Sequence, residues 1–250
     1  MARILRAETS LARRQDDIER ELSRAPRLLL AVWILAALAA AAAVAFALLR
    51  HSPLHLLWAA AALLAAAGFH LRQRELLEES RLLRGGRRGE AKTSAILAER
   101  LADDHLILND LDLRIAHERA QIDHLVLAPS GIWVIESKFW AGTLSGDVND
   151  TQWTQTNHRR HRLVKSPVLQ VRRQRSMLVS EFNLRIPDDR IHALAVFTHP
   201  AVRLDIRNAG TSALLLKDAC RLINDHCFDP PLLTPADLQS LANEILARQA

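Results

Sequence analysis

Cysteine is nearly absent from this chain: Cys220 and Cys227 are the only two in 250 residues. With His226 they offer three soft ligands but no fourth at a recognised zinc spacing, so nothing here calls for a structural zinc. Glycine is scarce as well, with eight residues. The group Gly85, Gly86 and Gly89 lacks the strand–loop–helix setting and the lysine of a nucleotide-binding phosphate loop. No G-x-S-x-G element occurs, which removes the usual signal for a serine hydrolase. Charge is missing from residues 28–49, and acidic residues are missing from 151–180. The last two absences organise what is present.

Residues 28–49 are almost entirely Leu, Ala, Val, Ile, Phe and Trp, and are long enough to span a bilayer as a helix. Residues 54–69 form a second apolar run, interrupted by His55 and slightly short, so it would borrow Pro53 or residues from 70 onward. Arg50-His51-Ser52-Pro53 separates the two, and a two-span transmembrane hairpin over 28–69 is expected. A cleaved signal peptide fits less well, because the leader over 1–27 is long and rich in both acids and arginines. Seven arginines in 1–27 and six in 70–88 put both flanks, and both termini, on the cytoplasmic side of a cell inner membrane or plasma membrane. Of the formal charge of +5, residues 1–84 carry +4 and residues 85–250 only +1. That excess suits anionic lipid headgroups beside a multi-pass anchor and leaves no domain-wide field for nucleic acid. A cytoplasmic domain also argues against a structural disulfide between the two cysteines.

Residues 1–27 form a charged N-terminal segment, helical over 5–24. Residues 70–84 continue the second span as a juxtamembrane helix, which Gly85-Gly86 breaks, opening a domain over 85–250. Within it the pattern predicts a helix over 90–103, a short strand over 106–108, an acidic turn at Asn109-Asp110 and a strand over 111–118. Strands over 122–127 and 132–135 are joined by Pro129-Ser130-Gly131. A polar, helical stretch is expected over 149–161. A helix over 167–182 follows, with Pro167 as its first residue and Ser166 as its cap. Strands at 191–197 and 202–206 precede helices at 217–225 and 235–247, the last started by Thr234-Pro235. Helices alternating with a few apolar strands indicate an α/β or α+β domain with one core.

Asp123 and Glu136 stand on two neighbouring apolar strands, and Lys138 lies two residues beyond Glu136, on the same face by the period of two. Charges at the ends of buried strands are costly unless they bind something. Two carboxylates with an open coordination sphere suit Mg²⁺ or Mn²⁺, which prefer oxygen ligands and retain water. Such a metal polarises a phosphoryl oxygen and activates water, and Lys138 could orient that water or neutralise the phosphorane. From spacing alone, a surface salt bridge among strand-end charges explains the same residues. His124 should point to the opposite face and pack there. The acid-free stretch holds Arg159, Arg160, Arg162, Lys165, Arg172, Arg173 and Arg175, a cluster suited to phosphate backbones of DNA or RNA or else a solvated surface.

Gly89-Glu90, Gln121-Ile122-Asp123-His124 and Gly131-Ile132-Trp133-Val134-Ile135-Glu136-Ser137-Lys138 follow one another in order, with Gly142, Trp153 and Lys165-Ser166-Pro167-Val168-Leu169-Gln170 behind them. This series resembles the nuclease-related domain family, NERD, over about residues 85 to 200. The resemblance implies a PD-(D/E)xK-like fold, a mixed sheet flanked by helices. It also implies a catalytic set of Glu90, Asp123, Glu136, Lys138 and Gln170, with Asp123 and Glu136 as metal ligands. Glu90 would be a third ligand or substrate-orienting group where helix capping is the plain alternative. Gln170 would meet the metal-bound water or the substrate backbone, or bond locally. Ile122 stands where the family has proline, Ser137 where threonine or valine is usual, and Ser166 where asparagine is. The expectation is a membrane-anchored, metal-dependent nuclease. The alternatives are a non-catalytic module binding nucleic acid or anionic lipid, and a membrane scaffold forming homo-oligomers through its alanine-rich helices.

Overall fold

The computed structural model describes residues 2–6, 10–50, 55–115, 118–182, 186–226 and 231–248; Cys227 lies outside them. The chain divides into two compact units, Leu11–Gly85 and Met1–Ser10 with Gly86–Ala250.

The first unit is helical, built from α1 (Ser10–Arg50) and the leading part of α2 (His55–Arg100), with Trp33 edge-on to His70. The two-span hairpin is corrected here. Among the described residues, Arg27–Leu49 is the one helical stretch long and apolar enough to cross a membrane, with a mean hydropathy of 2.6. The run over 54–69 would rise only about 24 Å as a helix, below the roughly 30 Å of a hydrocarbon core. Arg72, Arg74 and Glu75 follow it at once. The multi-pass placement depended on that second span and falls with it. Nor does Gly85-Gly86 break the helix, since α2 runs through both glycines. Each costs about 1 kcal/mol in a helix interior, too little to stop one continued on both sides by Leu, Arg, Glu and Ala.

The second unit is α/β. Its main sheet has the order β1-β2-β3-β4-β8-β10 and joins β1 (Arg3–Arg6), β2 (Leu106–Ile115), β3 (Glu118–Ala128), β4 (Gly131–Lys138), β8 (Ile191–Phe197) and β10 (Ala213–Leu215). The β2–β3 and β3–β4 pairs are antiparallel, whereas β1 on β2, β8 on β4 and β10 on β8 are parallel. The sheet is therefore mixed. The N-terminal charged segment was expected to be helical from residue 5, but Arg3–Arg6 instead forms the edge strand, and α1 begins at Ser10. A second sheet, β7-β6-β5-β9, is made of β5 (Gly142–Asp147), β6 (Gln152–Asn157), β7 (Arg160–Lys165) and β9 (Val202–Arg207).

Helix α3 (Pro167–Phe182) packs on β8, β4 and β3, and α5 (Pro235–Ala247) on β2 and β3. Here Ile132 and Val134 meet Leu125, Leu127, Val171, Leu178 and Leu238. The opposite face buries Val126, Trp133 and Ile135 against Leu97 of α2 and Ala219 and Ile223 of α4 (Leu216–Asp225). Leu144, Trp153, Val168 and Phe197 form a third core under the second sheet. Thr234 caps α5, its hydroxyl oxygen accepting from Asp237 N–H at 3.2 Å while Asp237 Oδ2 accepts from Thr234 N–H at 2.9 Å.

The helix expected over 149–161 is the β6–β7 hairpin. Its residues are polar, but Trp153 and Gln155 alternate inward, and His158 turns the chain at a φ of 52°. The acidic turn at Asn109-Asp110 is likewise absent, because β2 runs through it with Asp110 at a φ of 48°.

Candidate active site

On β2, both Leu108 and Leu111 reach the α3-side core, and on β3 both Ile122 and Leu125 do. A spacing of three in place of two means that the side-chain alternation slips on both strands at one level. Asn109 pairs with His124 and Leu111 with Ile122, so the slip falls at Asp110 and Asp123. The positive φ of Asp110 supplies the local kink. Asp123 thus sits where the strands bend, and continuing the His124–Ile135 pairing places it across from Glu136.

Three contacts fix this pair. Ser137 N–H donates to Asp123 Oδ2 at 2.8 Å. Lys138 Nζ donates to Glu136 Oε1. Gln174 Nε2, from α3, donates to Glu136 Oε2 at 3.0 Å and to the carbonyl of Gln121 at 2.7 Å. Glu136 is only 1% exposed, so both its oxygens are satisfied by protein. Glu90 arrives on α2. Gly89 lets the helix approach, since a Cβ there would stand 2.8 Å from Phe139 Cβ, one residue beyond Lys138. Lys92 Nζ ties the same helix to the Thr198 carbonyl at 2.9 Å.

The electrostatics follow from burial and from excess negative charge. Burial, then Asp110 and Glu136, push the Glu90 carboxyl up to about 7, against the pull of Lys138. Burial and the Glu136 charge hold Asp123 well above the usual carboxylate range, with Lys138 and the Ser137 N–H opposing. Burial alone would lower Lys138, but Glu136, Asp123 and the hydrogen bond to Glu136 outweigh it and raise its pKa, so it stays charged. Three carboxylates share one ammonium. His124 takes no part, for its Nδ1 donates to Asn109 Oδ1 at 2.7 Å on the other face and burial drives it down to about 3. Among the described residues, no group of three or more His, Cys, Asp or Glu side chains is arranged to hold a metal.

Gln170 does not reach the acidic cluster. It is exposed on the wall of a cavity of about 660 Å³ that also includes Gln121, Lys165, Arg173 and Gln174. The glutamine at Glu136 is Gln174, absent from the sequence reading although it lies one helical turn from Gln170, at i+4 on the same stripe. Of the basic residues, Lys165 and Arg173 line this cavity. Arg159 and Arg160 stand at the β6–β7 turn. Arg162 Nε bonds Gln155 Oε1 at 2.6 Å, and Arg172 Nη1 bonds Asn149 Oδ1 at 3.0 Å. Arg175 pins the Ile191 carbonyl and Asp188, with its salt bridge at 2.6 Å.

The domain is thus a mixed sheet flanked by helices, with Asp123 on one strand across from Glu136 and Lys138 on the next. Residues 85–198 match the family model described as the nuclease-related domain, and this stretch of the chain is a NERD domain, part of the PD-(D/E)xK-like nuclease superfamily. No curated protein and no solved structure matches the chain.

Proposed function

We propose that the NERD domain hydrolyses phosphodiester bonds of DNA or RNA at Asp123, Glu136 and Lys138, with Mg²⁺ or Mn²⁺ as cofactor. The carrying observation is that Lys138 and Gln174 clasp both oxygens of buried Glu136 opposite Asp123. The donor set fits such an ion. Asp123 and Glu136 supply hard oxygen ligands, and a dication would favour the ionised form of Asp123 that burial, and then the Glu136 charge, disfavour. When bound, the metal polarises a phosphoryl oxygen and acidifies water.

The chain's own groups do the rest. Ser137 N–H orients Asp123, and Gln174 orients Glu136. Lys138 remains an ammonium beside the cluster, with Nζ 5.8 Å from the Trp140 ring centroid, and stabilises negative charge building on phosphoryl oxygens. Glu90, near 7, can hold or release a proton at neutral pH, the property of a general acid–base. A binding-only module is the second reading, favoured by the absence of a three-ligand group among the described residues.

The test incubates the full chain, in detergent, with labelled DNA and RNA in Mg²⁺, Mn²⁺ or EDTA. Metal-dependent cleavage that disappears in Asp123→Asn and Lys138→Ala supports the nuclease. Binding without cleavage in either metal supports the module. The exposed apolar side chains of Arg27–Leu49, among them Leu30, Leu35, Leu38 and Leu49, favour association with a lipid bilayer. Flotation with vesicles, lost when Leu35 and Leu38 become Lys, tests that part.

A further inference from the structure

The β6–β7 hairpin is a cationic arm. Residues 157–163 are all exposed, and β7 is an edge strand of its sheet. Arg159 and Arg160 stand at the turn and form no hydrogen bond or ion pair among the described residues. No acidic residue occurs in the surrounding sequence over 151–180. The arm itself is braced. Gln155 Oε1 accepts from Arg162 Nε at 2.6 Å while its Nε2 donates to the Ala141 carbonyl at 2.7 Å, and Thr156 Oγ1 meets His161 Nδ1 at 3.0 Å. Two exposed arginines are thus carried on a paired ribbon whose own contacts do not use them.

The root of the arm lies beside the acidic cluster. Thr151 and Gln152 at its start and Lys165 at its end are on the wall of the cavity of about 660 Å³, together with Gln121 and Gln174. Those two glutamines also border the cluster: Gln174 bonds Glu136, and it holds the carbonyl of Gln121, two residues before Asp123. From Lys165 to Arg160 the strand rises about 17 Å at 3.4 Å per residue. A nucleic-acid strand cut at the cluster and laid along β7 would reach the turn about five nucleotides away, at the 3.4 Å step of a duplex strand. Arginine forks match the phosphates of such a strand. An anionic bilayer presents phosphates too, but a lipid surface does not call for an arm rooted at a phosphodiester site.

We propose that the β6–β7 hairpin is a nucleic-acid-binding arm, in which Arg159 and Arg160 hold backbone phosphates about five nucleotides from the scissile one. The assignment rests on the phosphodiester reading of the neighbouring cluster. It divides the basic stretch by role. Arg162 braces the arm and Arg175 pins the Ile191 carbonyl, whereas the two turn arginines are left for the ligand. Because phosphates are common to every sequence, the arm gives affinity without sequence preference.

The experiment is fluorescence anisotropy with labelled single-stranded DNA and RNA of about 20 nucleotides, long enough to pass from the cluster to the turn. The full chain is used in detergent and EDTA over a salt series. Arg159→Gln and Arg160→Gln should each lower the slope of log affinity against log salt by about 0.7, and the double variant by about 1.4. Arg159→Lys with Arg160→Lys should keep the wild-type slope, and circular dichroism should show every variant folded. Loss with either nucleic acid supports the arm and names the form it takes. No binding by the wild type, or an unchanged slope in the double Gln variant with both oligonucleotides, overturns the proposal. Amide exchange over 157–163 separates the lipid source: protection by phosphatidylserine nanodiscs and none by oligonucleotide overturns the proposal in favour of a bilayer. Failure of the nuclease reading looks different: arm-dependent binding persists, but the wild type cleaves neither oligonucleotide in Mg²⁺ or Mn²⁺.

Discussion

Gln174 bonds Glu136 Oε2 at 3.0 Å and the Gln121 carbonyl at 2.7 Å through a single amide nitrogen. It thereby ties α3 to both strands that carry the facing carboxylates. Gln174→Leu removes the hydrogen bond that α3 gives to a buried carboxylate oxygen of Glu136 and to the Gln121 carbonyl, which costs about 1–3 kcal/mol. Urea melts should show that loss, and cleavage should fall with it. Gln170→Leu, at an exposed position, should stay within about 0.5 kcal/mol of wild type.

Glu90 gives a pH dependence with a definite sign. Its folded pKa, about 7, lies above its ordinary value of 4.5, so the native state binds more protons between those values. Its contribution is fully present below 4.5 and is lost as pH rises through 7. Glu90→Gln should therefore be more stable than wild type at pH 8 in EDTA, by up to about 3 kcal/mol, and nearly equal at pH 4.5. Thermal melts across that range measure it; a wild type that gains on the variant with rising pH contradicts the assignment.

Metal should act on stability as well as turnover. Because Asp123 is lifted by burial and by Glu136, Mg²⁺ or Mn²⁺ should raise the Tm of the wild-type chain and leave that of Asp123→Asn unchanged. Differential scanning fluorimetry over a metal titration reads this without any substrate.

Arg175 is expected to matter for folding. Its guanidinium holds Asp188 and the Ile191 carbonyl at the entry to β8, with the side chain 27% exposed. Arg175→Met should lose about 1–2 kcal/mol in a chemical melt, and oligonucleotide binding should keep the wild-type salt slope.

How much of this was legible depends on the range of the interactions involved. The facing of Asp123 and Glu136 could be read because a short turn and the period of two determine it. Gly131, at a φ of 140° and with the Arg190 carbonyl 2.2 Å from any added Cβ, makes that turn obligatory. The β6–β7 hairpin was hidden because every residue of β6 except Trp153 is polar, including the buried Gln155 and the half-buried Thr154 and Thr156, so the inward alternation gave little periodic signal. Gln170, implied by the resemblance, and Gln174 lie on one helical stripe, and only the packing of α3 makes the first exposed and the second buried. The slip at Asp110 was invisible, for a non-glycine residue at positive φ carries no composition signal. The second span failed on length, where an apolar run too short for a bilayer still resembles one that is long enough.

Strand β1 has a consequence in time. Arg3 pairs with Leu106 and Ile4 with Ile107, so the sheet's edge is supplied by residues made roughly a hundred positions earlier. During synthesis that strand must wait, unpaired, while the apolar stretch Arg27–Leu49 and the whole of α2 emerge. Until it docks, β2 is an open edge able to recruit other chains. A chain lacking residues 3–6 should therefore reach its folded yield slowly and with more aggregate.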